Sequence, residues 1–166
     1  MTRKMLICLS ATLLCPGGCG EPTITYPQAL EAIFLPLDGA RGLGPDTVPS
    51  IFFSDEVDGN SVGGDSVLLR ATGWSCTTQE EKEVCACETG WAPVTGAAQA
   101  EGTVVKFLPA SPLPAKSCLA MICTTAVRGK QTAPLRSLGL PAESRAALGL
   151  SSAIEVGALQ QFWTAE

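Results

Sequence analysis

The sequence contains no histidine. That removes the side chain most often used as a general base near neutral pH and the commonest neutral metal ligand. Charge is also scarce: Asp, Glu, Lys and Arg make up 16% of the 166 residues, and Glu, Lys and Gln gather only in short patches. A helical bundle would need more of these residues on its solvated faces. No apolar run approaches the roughly 20 residues needed to cross a bilayer as a helix. What the chain has instead is 17 glycines and 12 prolines. At that density they punctuate many short elements, which favours a β-sandwich or barrel. The length suits one domain with a core of its own.

The first twenty residues are laid out as an export signal. Arg3 and Lys4 precede the apolar stretch Met5 to Leu14, which has the length of a signal h-region, and Pro16-Gly17-Gly18 sets it off from the rest of the chain. Without Arg3 and Lys4, nine of the 11 Lys and Arg remain against 16 Asp and Glu, a net charge near −7. A chain so acidic has no electrostatic case for binding nucleic acid or anionic headgroups. Membrane attachment then calls for a covalent anchor. "LLCPGGCGE", Leu13 to Glu21, resembles a bacterial lipobox, in which a cysteine after small residues is acylated and becomes the new N-terminus. Gly17 and Gly18 make Cys19 the favoured lipidation site, although Pro16 stands where the pattern prefers leucine. Cys15 is the rival, with the bulky Leu14 directly before it. The resemblance implies a lipoprotein signal peptide over residues 1–18, a tether over 19–28, and a domain over 29–166 at the bacterial cell envelope, outer-membrane anchored.

Within the domain, short apolar or alternating segments read as strands: Ala32–Pro36, Ser50–Ser54, Ser66–Thr72, Gly102–Leu108, Ser117–Val127 and Glu155–Thr164. Alternation puts Ile51 with Phe53 and Val105 with Phe107 on inward faces, Lys106 outward. Ser117–Val127 is the longest apolar run of the domain and suits a central strand. Two insertions interrupt the pattern. Residues 75–90 read as a polar, acidic, cysteine-bearing loop, in which "TQEEKEV" is compatible with one helical turn. Within 135–153, Pro141, Glu143 and Gly149 mark a short helix over about 141–148. The fold class is all-β, a sandwich of about seven strands with a short helical insertion before the last strand.

The order of motifs adds a resemblance. "LPLDGARGLGPDTVPSIFFSDEVDGNSV", "GTVVKFLPASPLPAKSCLAMICTTAVRGKQTAPL" and the closing "QQFWTAE" resemble the bacterial immunoglobulin-like domain of the S-layer-protein type. The shared features are a Pro…Asp-Gly-Ala turn, a strand ending Phe-Ser, a strand ending Phe-x-Pro, a Pro-Leu-Pro bend and a final Phe-x-Thr strand. They span about residues 32–165. The chain departs from the pattern in its cysteine-rich loop, in Cys118-Leu119, and in the helical insertion. The resemblance implies an immunoglobulin-like sandwich serving as a structural or protein-interaction module. It assigns no catalytic residue and no cofactor, and its partners are the membrane, through the anchor, and other envelope proteins.

Several motifs invite a chemical reading. "GNSVG", Gly59 to Gly63, matches a nucleophile elbow, but Ser61 has no histidine to take its proton and no strand–turn–helix setting. Asp55, Glu56, Asp58 and Asn60 offer hard oxygen donors that make a weak extracytoplasmic calcium site the alternative function, against the commoner use of such residues in turns. Trp74, Trp91 and Trp163 are either core cover or a ligand platform, with cover the commoner role.

Downstream of Cys19 lie Cys76, Cys85, Cys87, Cys118 and Cys123. They lack the paired spacing of zinc knuckles, and an exported chain oxidises its thiols. Cys118 and Cys123 are an odd number of residues apart and face opposite sides of one strand. Cys85 and Cys87 are too close to bridge each other comfortably. This favours Cys76 with Cys85 or Cys87, a second loop cysteine with Cys118, and Cys123 as a buried free thiol. A thiol–disulfide function through Cys85 and Cys87 is the enzymatic alternative.

Overall fold

The computed structural model describes residues 28–79 and 82–165. The expected leader, Cys15, Cys19 and nearly all of the expected tether lie outside the described residues. Two antiparallel sheets face each other. One has four strands in the order β1 (Ala32–Leu35), β2 (Ser50–Phe53), β7 (Val104–Pro109), β6 (Gly96–Glu101). The other runs β4 (Lys82–Cys87), β3 (Val67–Gln79), β8 (Ser117–Thr124), β9 (Val156–Trp163), with the two-residue β5 (Ala92–Pro93) also paired to β3. A single short helix, α1 (Ala142–Ala147), precedes β9. The chain is an all-β sandwich.

Alternation fixes the inner faces. Ile51, Phe53, Val105 and Phe107 are buried from the first sheet, and Val67, Leu69, Leu119, Met121 and Phe162 from the second, in one continuous core. β8 is different: all eight of its residues are buried. Leu119, Met121 and Cys123 enter the sandwich core. On its other face Ala120 and Ile122 join a second cluster with Leu148, Leu150 and Val156, packed by Leu68, Leu140, Ile154 and Trp91. The insertion around α1 therefore covers the outer face of this strand, which is why the run is apolar without alternation.

α1 occupies the predicted place, with Pro141 at its N-cap, Glu143 in its first turn and Gly149 beyond its end at φ +66°. The guanidinium of Arg70 on β3 donates to the Gly149 carbonyl at 3.2 Å and ties the insertion to the sheet. The free edge of β9 is covered by residues 38–44: Trp163 N–H donates to Ala40, and Leu43 N–H to Trp163. Thr164, buried after β9, satisfies its hydroxyl by donating to Pro114 at 2.7 Å and accepting from Ser117 N–H at 2.9 Å.

Three expectations are corrected. Residues 75–79 and 82–87 are strand, not loop: β3 runs on to Gln79 and pairs antiparallel with β4, so Thr78, Gln79 and Lys82–Val84 of "TQEEKEV" are extended rather than helical. The threonines and the Cys-Ala-Cys of these strands suit a pleated, half-exposed ribbon better than a helix. A strand absent from the sequence reading, β6, pairs along the whole of β7. Its inward residues are only Ala98 and Ala100, too small to mark a buried face by hydropathy. The described residues thus hold nine strands against the seven expected.

Phe162 is fully buried opposite Leu119. Phe162→Ala should lower the urea-unfolding free energy by about 3–5 kcal/mol. Ile33→Thr, at a position 64% exposed on β1, should stay within about 0.5 kcal/mol of the parent.

Candidate functional site: a stapled hairpin and a tryptophan cleft

The outer face of the five-stranded sheet is divided in two. One half is sealed by the α1 insertion. The other carries sulfur and aromatic groups, because cross-strand partners share a face: Cys76 lies opposite Cys85, Trp74 opposite Cys87, Thr72 opposite Cys118, and Cys118 opposite Trp163. Period two within each strand places these side chains together.

Cys76 and Cys85 stand at disulfide-bonding distance on neighbouring strands, with Cα atoms 3.9 Å apart. Cys87 and Cys118 form a second pair, Cα–Cα 5.6 Å, joining β4 to the central β8. Of the two partners left open for Cys76, the structure places Cys85 there. Closing the 31-residue separation between Cys87 and Cys118 contributes about 3–4 kcal/mol through the unfolded chain. Cys85 and Cys87 each bridge to a different strand and do not form a vicinal redox couple. Cys123 is free and buried in the sandwich core beside Leu119 and Met121, where desolvation pushes its thiol up to about 12.

Trp74, Trp163, Cys85, Thr164 and Arg41 line a cleft of ≈ 260 Å³ at the open end of this face. The Arg41 guanidinium lies 5.5 Å from the Trp163 ring centroid and reaches Cys85 Sγ at 3.7 Å; Lys116 Nζ lies 5.9 Å from the Trp74 ring. The indole N–H groups of Trp74 and Trp163 are buried with no acceptor among the described residues. Trp91, by contrast, packs against the second hydrophobic cluster. The three tryptophans thus divide: one is core cover, and two frame the cleft. Sequence reasoning singled out the tryptophans and Cys85 but not Arg41, Lys116 or Thr164. The turn of Arg41, which pairs with β9, gave no signal before the topology was known.

The acidic stretch after β2 does not gather into a donor set. Asp55 Oδ2 accepts from Gln131 N–H at 2.7 Å, Thr132 N–H at 3.0 Å and the Thr132 hydroxyl. Glu56 pairs with Lys130, and Asp58 accepts from Asn60 N–H at 3.0 Å and caps the 3₁₀ turn Gly59–Ser61. Among the described residues no three acidic, cysteine or histidine groups converge to hold a metal. The calcium candidates are therefore separated by their own hydrogen bonds, each carboxylate fixing a different part of the 55–62 and 128–132 turns. Ser61 is equally occupied: its hydroxyl donates to Asp58 at 2.6 Å and accepts from Arg128 N–H at 3.0 Å, while Val62 packs against the core.

Comparison with family models, with curated proteins and with solved structures finds no match. The chemistry of the site must be argued from its own residues. It offers a rigid, covalently held ribbon beside an aromatic cleft, with Arg41 and Lys116 against the two rings.

Alkylation of the non-reduced native protein should leave Cys123 unmodified, with labelling only after denaturation; peptide mapping should recover Cys87 linked to Cys118. The Asp55 carboxyl is held below its ordinary range chiefly by the Gln131 N–H bond, against some desolvation. Such a group stabilises the fold fully above the ordinary carboxylate range and loses that contribution as pH falls through it towards the depressed value. Asp55→Asn should therefore flatten the fall in melting temperature between neutral pH and about pH 3, read by a thermal scan at each pH.

Proposed function

We propose that this protein is an exported lipoprotein, anchored at the bacterial cell envelope through Cys19, whose immunoglobulin-like sandwich is a non-enzymatic structural or protein-interaction module. The observation that carries the reading is the use made of the domain's cysteines. Cys76, Cys85, Cys87 and Cys118 are taken up in two pairs, and Cys123 is sealed in the core. Pairs of this kind belong to an oxidising compartment. They lie downstream of a segment with the layout of an export signal. They also resolve a parity problem in the sequence, where five domain cysteines leave one over. That one is buried, so none of the five domain cysteines is left to bridge to Cys19, which accords with its use for acylation. The immunoglobulin-like assignment is supported by two facing antiparallel sheets and by the order of motifs along the chain.

The surface we assign to a partner is the β3–β4 hairpin and the adjoining cleft. The ribbon is pinned by two cross-strand bridges, so little conformational entropy is lost when a partner orders it. Its sequence is acidic, which a basic protein surface complements.

The deciding measurement is the intact mass of the protein extracted from membranes. The expected mass is that of a chain beginning at Cys19, carrying a diacylglycerol thioether and fatty acyl amide, and lacking four hydrogens for two disulfides. A mass corresponding to a chain that keeps its first eighteen residues, or to an unmodified Cys19, overturns the lipoprotein reading.

A further inference from the structure

The four-stranded sheet turns one face to the core and the other to solvent, and towards β1 and β2 its solvent face is largely apolar, while Lys106, Gln99 and Glu101 make it polar towards β6. Ile33 is 64% exposed, Leu35 45% and Phe52 40%. The register places Ile33 opposite Phe52 and Phe52 opposite Val104, so these three form one row across β1, β2 and β7. Leu35 stands in the next row, opposite Ser50. Exposed Val48 lines a shallow groove with Leu108, and exposed Leu138 lines another with Ile33, extending the patch on both sides. An apolar surface of this continuity marks a contact rather than chance exposure. Lys106, on the same face of β7, is paired with Glu101 and brings no free positive charge to it.

We infer that this face rests on the lipid bilayer that holds the protein's anchor; the inference is built on the lipoprotein reading above. The position of the tether argues for lipid as the occupant. Gln28, where the described chain begins, follows Cys19 by nine positions and precedes Ile33 by five. Nine residues reach at most roughly 30 Å when fully extended. The first strand to leave the tether is the edge strand β1, which carries Ile33 and Leu35. An anchored molecule therefore presents this face to the bilayer at high effective concentration. Apolar side chains on a flat sheet can enter the headgroup–acyl boundary without burying strand backbone in hydrocarbon. The mechanism is apolar insertion, because the acidic chain offers no attraction to anionic headgroups.

The test uses the full-length protein, extracted from membranes and reconstituted in phosphatidylethanolamine–phosphatidylcholine vesicles with and without brominated acyl chains. Phe52→Trp adds a probe on the face. Glu143→Trp adds one on α1, which covers the other sheet. Both variants are first checked for parental melting temperature. Tryptophan emission in excess of the parent should be quenched at least two-fold by brominated lipid for F52W and be unchanged for E143W. Equal quenching of the two, with the Cys19 diacylglycerol present by mass, overturns the docking face and leaves the anchor intact. If the mass shows no acyl group, the same F52W protein is added to preformed vesicles. Quenching then upholds the face without the anchor, and its absence overturns both. A concentration-dependent dimer in sedimentation that is abolished by Phe52→Ser means that a second copy of the chain covers the face, and it too overturns the proposal.

Discussion

The structure depends on the burial of one strand from both sides. β8 lies between β3 and β9, with Leu119, Met121 and Cys123 in the sandwich and Ala120 and Ile122 beneath the helical insertion. A two-sheet sandwich ordinarily leaves the outer face of each sheet to water. Here the outer face of the central strand is apolar and requires a lid. The segment from Leu138 to Val156 supplies it, tied down by the Leu138–Val156 backbone bond and by Arg70 against Gly149. Remove the lid and a strand built of hydrophobic residues is exposed; remove the strand and the insertion has nothing to fold upon.

The same face explains the cysteines. Where the lid ends, the outer surface of the sheet is Cys118, Trp163, Thr72 and Trp74, and the stapled hairpin rises beside it. Covalent bonds and indole rings do there what the helix does at the other end. The two halves differ in consequence: a packed helix closes its half, whereas the bridged ribbon leaves a cleft. The exposed apolar row on the opposite sheet is a third treatment of the same problem, a face given neither lid nor staple.

The fold class was legible because period-two burial is written into Ile51/Phe53 and Val105/Phe107, and because Pro141 and Gly149 bracket a helix by their backbone preferences. Cys123 was legible for the same reason: it shares parity with Leu119 and Met121, and all three meet in the core. The hairpin was not. Its sequence shows no run of alternating large apolar and polar residues, and what makes it a ribbon is pairing of its strands with each other and the bridge between Cys76 and Cys85, neither of which has a hydropathy signature. β6 was missed because alanines face inward where the space is small. In the acidic turn, the donor types of Asp55, Glu56 and Asp58 were plain, but their partners lie more than seventy residues away for two of them, and spacing alone cannot show that. The cleft was legible in part: the tryptophans stood out by type, while Arg41 joined them only through a long-range pairing of its turn with β9.

The bridge between Cys87 and Cys118 closes a ring in the chain, and the ring contains β5, β6 and β7. Two of those strands are half of the opposite sheet. A bond made on the surface of one layer thereby holds the other layer in a covalent loop. Peptide-bond cleavage anywhere between residues 88 and 117 would divide the backbone and yet release nothing, for both products stay joined at sulfur. The sandwich is in this sense padlocked: a chain nicked within the ring comes apart only when the lock is reduced.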